Sequence, residues 1–503
     1  VAYHIILRGR SRADSERPGG SDACRSTATG RRGRIRPALL CLGVLTGGAM
    51  SATASHAQSA DPSVPPAQLP TPTPPTTQGG DVPSLAAGAP AAADSESAKF
   101  KQLNKLVLKG WVTAVPTFDD TVTGDIGGWR SALADAGFGF SIYSLNLGVY
   151  DMARAGKGLA GPQLYNGQKF TYQTGNQTAV LTYDLSRIGL KDGQFAVIVA
   201  GSTNSYQARD GLRGIRVKGF SWYQPVLNGK VELEAGIIAN QTDYLGTSVG
   251  GSLSGGALGP QASIPVEAGL SYGQYGAPTL SARINWTKHL YTRTGLQRSI
   301  SPEGSTVEKD SNPSGFTFST PGAKPLIIQE IGYRIVATPG VKSFWFRGGG
   351  LYNTTNYRSY VDGRSHDNHF FYAAVDDQLT QPDSEHPGRG IYVGATFNAA
   401  PGALDLIYRY YEARTYMRGP LGGRPDDMVS LVAAINVYSP EERNSVVSAF
   451  RPYATTQSYT GSYSFKITHG LYIQPGVSVV VHPVYNRDIG TAVNGLLNLV
   501  TFF

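Results

Sequence analysis

Beyond residue 137 the sequence keeps a single dominant period, two residues, up to its last position. In ARINWTKHL (282–290), Ala282, Ile284, Trp286 and Leu290 alternate with Arg283, Asn285, Thr287 and His289, interrupted by Lys288. Successive side chains of an extended strand point to opposite faces, so such a segment has one apolar and one polar face. The pattern recurs at 231–237 and 465–468, and at 477–482, where Val477, Val479 and Val481 oppose Ser478 and His482. Further strand candidates are 138–150, 169–185, 194–200, 217–223, 344–352, 390–397, 403–416, 428–438 and 494–503, separated by Gly, Asn, Asp and Pro clusters. Helical periodicity precedes all of these. DIGGWRSALADAG (125–137) carries Trp129, Leu133 and Ala136 on one stripe and stops at Gly137, and SESAKFKQLNKL (95–106) reads as a short amphipathic helix whose mixed charges mark a solvated surface.

A half-buried strand of a water-soluble sandwich alternates in the same way. Three features decide for a membrane barrel. The 28 Tyr, 18 Phe and 5 Trp often fall near strand ends, where interface girdles sit. Segments of about ten residues match the ~9–11 that a tilted membrane strand needs. The chain ends NGLLNLVTFF, an alternating strand closed by Phe503, which is the terminal mark read by the outer-membrane assembly machinery. Charged residues make up 16% of the chain, against roughly 25% in an average soluble protein. The expectation is an all-β fold: a transmembrane antiparallel β-barrel over 138–503, with a short N-terminal helical region at 95–137. Those 366 residues suit sixteen strands, with 14 or 18 left open. A barrel of that size encloses water rather than a packed core, and conducts solutes.

The route to a membrane is written at the N-terminus. RRGRIRP (31–37) precedes the 13-residue apolar run ALLCLGVLTGGAM (38–50) and the small residues Ser55 and Ala57. This is the pattern of a cleavable signal peptide over 1–57, too short to match the roughly 20 residues of a spanning helix. Residues 58–94, rich in Pro, Ala, Thr and Ser, read as a linker. Nine Arg and three acids lie in 1–57, which leaves 35 basic and 33 acidic residues for the remainder. A nearly neutral body argues against nucleic acid as a partner. Cys24 and Cys41 also fall in the leader, so the body has neither a disulfide framework nor a thiolate metal site.

Several stretches resemble the carbohydrate-selective porins of Gram-negative outer membranes. GGWRSALADAGFGF (127–140) is similar to the family's opening helix. GGLYNTT (349–355) and YAAVDDQL (372–379) resemble a glycine-rich strand and the segment after it. GRGIYVGATFNAAPG (388–402), GPLGGRPDDMVSL (419–431) with its Gly-Arg-Pro-x-Asp, and THGLYIQPGVSVVVHP (468–483) follow in order. The Pro-rich linker and the Gly-rich stretch 250–266 depart from the family pattern. The resemblance implies passive diffusion of small sugars, mono- and disaccharides, across the outer membrane. A general diffusion porin and a barrel for polysaccharide export are the alternatives. Implied partners are small sugars, outer-membrane lipids and the assembly machinery, with a homotrimer left open.

A sugar channel needs hydrogen-bonding groups and aromatic surface, and weak binding. The polar strand faces offer Arg283, Asn285, Thr287, His289, Asp405 and Arg409; Arg130 and Arg424 come from the family-like motifs. Catalytic patterns are missing from the sequence. It has no G-x-S-x-G elbow and no P-loop. His366 and His369 suit a solvated outer loop better than a metal site, and Ser252 and Ser254 sit in a flexible GGSLSGG. No enzyme, cofactor or metal is expected.

Overall fold

The computed structural model describes residues 98–111, 116–153, 170–205, 214–244, 260–271, 276–445, 453–482 and 490–503. The leader, the linker and residues 250–259 of the Gly-rich stretch lie outside them. Sixteen antiparallel strands, each paired with its neighbours in sequence, close into one barrel. The seam joins β1 (Phe138–Asp151) to β16 (Ala492–Phe502), from Tyr143 opposite Phe502 to Asp151 opposite Asn494. Phe503 extends the pairing, exchanging backbone hydrogen bonds with Ile142 at 2.7 and 2.9 Å. Closure leaves no sheet edge whose N–H and C=O groups would face hydrocarbon unpaired.

The alternation has the sense of a membrane wall. Leu280, Ile327, Ile331, Phe371, Leu431 and Val477 are exposed, while Thr178, Arg293, Glu330, Asn353, Asn398 and Ser478 are buried. A soluble protein shows the reverse. Here the apolar face meets lipid and the polar face lines the lumen.

The segment 282–290 is not one strand. β6 (Ala277–Asn285) ends at Asn285, the chain turns through 286–289, and β7 (Leu290–Arg298) begins at Leu290. The amides of Trp286 and Thr287 donate to Leu290 O at 2.9 and 3.2 Å, and Thr287 Oγ1 accepts from the amides of His289 and Leu290. Lys288 broke the alternation because it sits in a turn. Likewise β12 (Ile407–Arg418) starts four residues later than the expected 403. β7, β8 (Pro325–Ile335) and β10 (Ser365–Gln378) went unread.

Connections differ sharply between the two ends. One end has short turns such as 286–289 and His469–Gly470, and the other has the long connections 239–276 and 299–324. Outer-membrane barrels place short turns in the periplasm and longer loops outside. The N-terminal segment enters from the turn end. Residues 98–103 are helical, and Leu103 and Leu106 pack on Phe118. The expected solvated face is therefore only half of this helix. Trp129–Asp135 is helical as expected, and Gly137 ends it with φ at 89°.

Candidate functional site: the lumen and its two inward segments

The long connection after β5 (Val231–Ile238) folds into the barrel. Its two ends are clasped at the wall: Asn240 N donates to Ser271 Oγ at 3.0 Å, and Ser271 Oγ donates to Ile238 O at 3.0 Å. Asn240 Nδ2 reaches Thr279 Oγ1 at 2.6 Å and also Gln297. The helix Pro260–Glu267 of the same connection packs against β11 (Gly390–Ala399), β12 and β13 (Met428–Tyr438). Ile264, Ala268 and Leu270 bury against Phe370, Tyr372 and Tyr410 of the wall. Asn353 Nδ2 donates to Ala268 O at 2.7 Å, and Ile407 N donates to Glu267 Oε2 at 3.0 Å. Gly269 makes this fit possible. Its φ is +99°, and a Cβ there would lie 2.2 Å from Asn353 Nδ2.

Glu267, at the end of this helix, lies within Coulomb range of the buried Asp405. Burial pushes Glu267 up to about 7, although the Ile407 amide opposes it. Burial, and then the charge of Glu267, raise Asp405 well above the usual carboxylate range, against a hydrogen bond from Asn368 at 3.1 Å.

The second inward segment is the N-terminal strap. Leu106 O accepts from Thr182 Oγ1 at 2.6 Å, and Lys109 N donates to Gln194 Oε1 at 2.8 Å. Gln194 Nε2 in turn donates to Val107 O at 3.1 Å. These bonds pin the strap to β2 (Phe170–Asp184) and β3 (Gln194–Asn204). At Gly110, with φ +89°, the strap runs so close to the wall that a Cβ would lie 3.1 Å from Glu234 Oε1 and from the Tyr223 ring. Trp111 then lies 5.3 Å from Lys218 Nζ. Asp120 anchors the return, accepting from Gly470 N at 3.0 Å, from Lys466 Nζ at 2.9 Å and from the Tyr472 hydroxyl. Strap and loop thus occupy different sectors of the lumen.

At mid-height several wall charges are engaged by one another or by tyrosine hydroxyls. Arg293 lies 2.9 Å from both Glu234 and Asp243, which ties the loop's first turn to β7. Tyr291 and Tyr372 donate to Glu330 at 2.9 and 2.5 Å. Arg414 bridges Asp376 and Glu412 at 2.6 and 2.8 Å. Nearer the turn end, below the inward loop, the lining changes to Arg283, Arg334, Arg347 and Arg418 with aromatic rings. Arg283 lies 4.0 Å from the Tyr291 ring, Arg334 and Arg347 lie 4.7 and 4.1 Å from Trp345, and Arg418 lies 5.5 Å from Tyr392.

The residues singled out in the sequence scatter across these levels. Arg283 and Asn285 project inward from β6: Arg283 Nε donates to Asn285 Oδ1 at 3.1 Å, and Asn285 Nδ2 donates to Glu232 Oε1 at 2.7 Å. Thr287 and His289 are not wall residues but turn residues, and His289 Nδ1 lies 2.9 Å from Arg334 O. Asp405 is buried behind the inward loop. Arg409 does not face the lumen. The β12–β13 register shifts between Ile407 and Arg409, so the parity of Asp405 does not carry over. Arg409 shares the outward face with Tyr411, and its guanidinium donates to Ala400 O and Tyr408 O at 3.1 and 2.8 Å.

Arg424 belongs to the β12–β13 turn, clamped to Asp427 and donating to Lys466 O at 3.0 Å. Arg130 ties its helix down, donating to Gly124 O at 2.6 Å and to Phe140 O. Beside it, hydrogen bonds from Lys99, Ser131 and Arg130 outweigh the upward push of burial and hold Asp125 at about 2. His366 and His369 diverge: the first lies 3.2 Å from Asp362 at a loop, the second beside the outward Phe371. The sequence reading missed Arg334, Trp345, Arg347 and Arg418. A signal existed for Arg334, since it continues the period set by Glu330 and Gly332.

A closed sixteen-stranded barrel with a loop folded into its lumen defines the class as a porin. The structure of Pseudomonas putida OprB at high pH superposes with a TM-score of 0.61 at 17% identity, covering 78% of this chain and 98% of that one. The low-pH structure of the same protein gives 0.50 at 15% identity, covering 76% and 98%. No curated protein matches the chain by sequence. The carbohydrate-selective porin, OprB family, matches residues 191–499, more than half the chain. The chain belongs to that family, and it is a sugar-selective porin of the outer membrane.

Proposed function

We propose that mono- and disaccharides diffuse passively along the lane left between the strap and the inward loop, and that Arg283, Asn285, Arg334 and Trp345 line its turn-side half. The observation that carries this is the contrast within the lumen. Arg293 and Arg414 at mid-height are closed into ion pairs, whereas Arg283, Asn285, Arg334 and Trp345 remain partly exposed below them. Hydroxyl-bearing solutes exchange water for such donors at little cost, and release readily. Diffusion needs no catalyst, so the protein is read as a channel and not an enzyme. Conductance through planar bilayers should fall as glucose is added, and liposome swelling should rank sugars by more than size. Swelling that follows size alone would make the protein a general diffusion porin.

The chain organisation proposed with this function is a leader removed after Ala57, the linker 58–94, and insertion by the outer-membrane assembly machinery reading Phe503. N-terminal sequencing of the outer-membrane form tests the first of these. Replacement of Phe503 by Ala, with membrane insertion as the readout, tests the last.

A further inference from the structure

We infer that the turn-side arginines form a subsite for the carboxylate of sugar acids, so that this channel prefers aldonates and uronates to neutral sugars of equal size. The inference rests on the sugar-channel reading and narrows its substrate class. Four guanidinium groups gather on β6, β8, β12 and β9 (Phe344–Arg358). Arg283, Arg347 and Arg418 all lie within Coulomb range of Arg334. Like charges that approach in a wall repel, and a bound anion relieves that repulsion.

The acids of the lumen are held by other partners, although Glu330 also acts on Arg347. Glu234 and Asp243 hold Arg293, Asp376 and Glu412 hold Arg414, and Glu308 holds Arg298 at 2.7 Å. Glu330 accepts from Tyr291 and Tyr372. Glu232 accepts from Asn285 at 2.7 Å and from the Tyr223 hydroxyl at 3.2 Å. Among the described residues, Arg283, Arg334 and Arg418 form no ion pair. Arg418 Nε is buried without a hydrogen-bond partner, and Arg334 is held only by the Trp345 ring at 4.7 Å.

Ring contacts bear on the ligand too. Guanidinium groups lie against Tyr291, Trp345 and Tyr392, which leaves less free aromatic surface for stacking a neutral pyranose and presents N–H donors instead. Such donors are matched by a carboxylate, which accepts two N–H groups side by side.

The test uses the full-length protein in planar bilayers, titrating glucose and gluconate separately and reading the concentration that halves the conductance. Gluconate should act at a concentration about tenfold lower, as expected for a charge-assisted contact, and its advantage should shrink at high salt. The double variant Arg334→Gln, Arg418→Gln should lose that advantage, so that the half-block concentrations of gluconate and glucose converge. The Lys pair R334K and R418K should retain most of it, and channel activity in potassium chloride shows that each variant is folded. Equal block by the two sugars, or a gluconate advantage that survives the Gln pair, overturns the subsite and leaves sugar selectivity standing. No block by either removes both readings.

Discussion

Glu267 Oε2 accepts the backbone N–H of Ile407 at 3.0 Å, a bond between residues 140 apart in sequence that fastens the inward loop to the far wall. The residue also titrates where it matters. Burial raises its carboxyl to about 7, above the ordinary value near 4.3. A raised value means that docking is favoured while the group is protonated and weakens as pH rises through about 7. Channel noise and mean conductance should therefore increase between pH 5 and pH 8. Glu267→Gln keeps a carbonyl for the Ile407 amide and removes the proton, so this variant should hold a low, quiet conductance across the range. Identical pH profiles for the variant and the parent chain would remove Glu267 as the cause.

Gly269 gives a steric version of the same test. Its φ of +99° is one that L side chains rarely adopt, and an added Cβ would approach Asn353 Nδ2 to 2.2 Å and Ser299 Oγ to 2.4 Å. Gly269→Ala should displace the loop at a cost of about 1–3 kcal/mol, raise conductance severalfold and weaken glucose block. Asn353→Ala in the same background should restore little of either, because Ser299 Oγ and the Tyr357 hydroxyl still lie within 2.7 Å of the added Cβ and the bond from Asn353 to Ala268 O is lost.

The N-terminal strap has its own anchor in Asp120. Replacing it by Ala leaves the Tyr472 hydroxyl and the Gly470 amide without their acceptor, a loss of roughly 1–3 kcal/mol for buried donors. Asp120→Ala should lower the thermal midpoint and raise conductance. Trp111→Ala should raise conductance with a smaller effect on stability, because its ring lies further along the lumen beside Lys218. Unchanged conductance in both variants would show that the strap does not narrow the channel.

The barrel was legible in the sequence because lipid outside and water inside impose opposite chemistry on successive residues, as in β16, whose Asn494 and Asn498 face in while Leu497 and Leu499 face out. Legibility failed where a second layer covers the lumen face. β10 was missed because Phe370 and Tyr372 turn inward to pack under the loop, which makes both faces apolar. β8 lost its signal in the same way through Leu326 and Ile328. Turns and bulges misled in the opposite direction. Trp286 and Leu290 keep the apolar parity of β6 although a turn separates them, and the register shift before Arg409 reverses its face. The strap was unreadable, since its Thr182, Gln194 and Asp120 contacts join segments remote in sequence and carry no local period.

Motif membership and lining position separate cleanly at Arg424, which supplies a last prediction. Its guanidinium is clamped by Asp427 and donates to Lys466 O at 3.0 Å, and Asp427 also accepts from Tyr463 and from the Lys466 amide, each at 3.0 Å. This is a brace between two turns at the barrel's end, away from the lane. Arg424→Ala should lower the thermal midpoint slightly, as expected for an exposed guanidinium, and leave the glucose concentration for half-block unchanged. Arg283→Gln should do the reverse, shifting sugar block with little effect on the thermal midpoint, because its guanidinium holds only Asn285 and the Tyr291 ring. Measuring both quantities on both variants separates wall from scaffold. A shifted sugar response in the Arg424 variant alone would place the solute path at the turns.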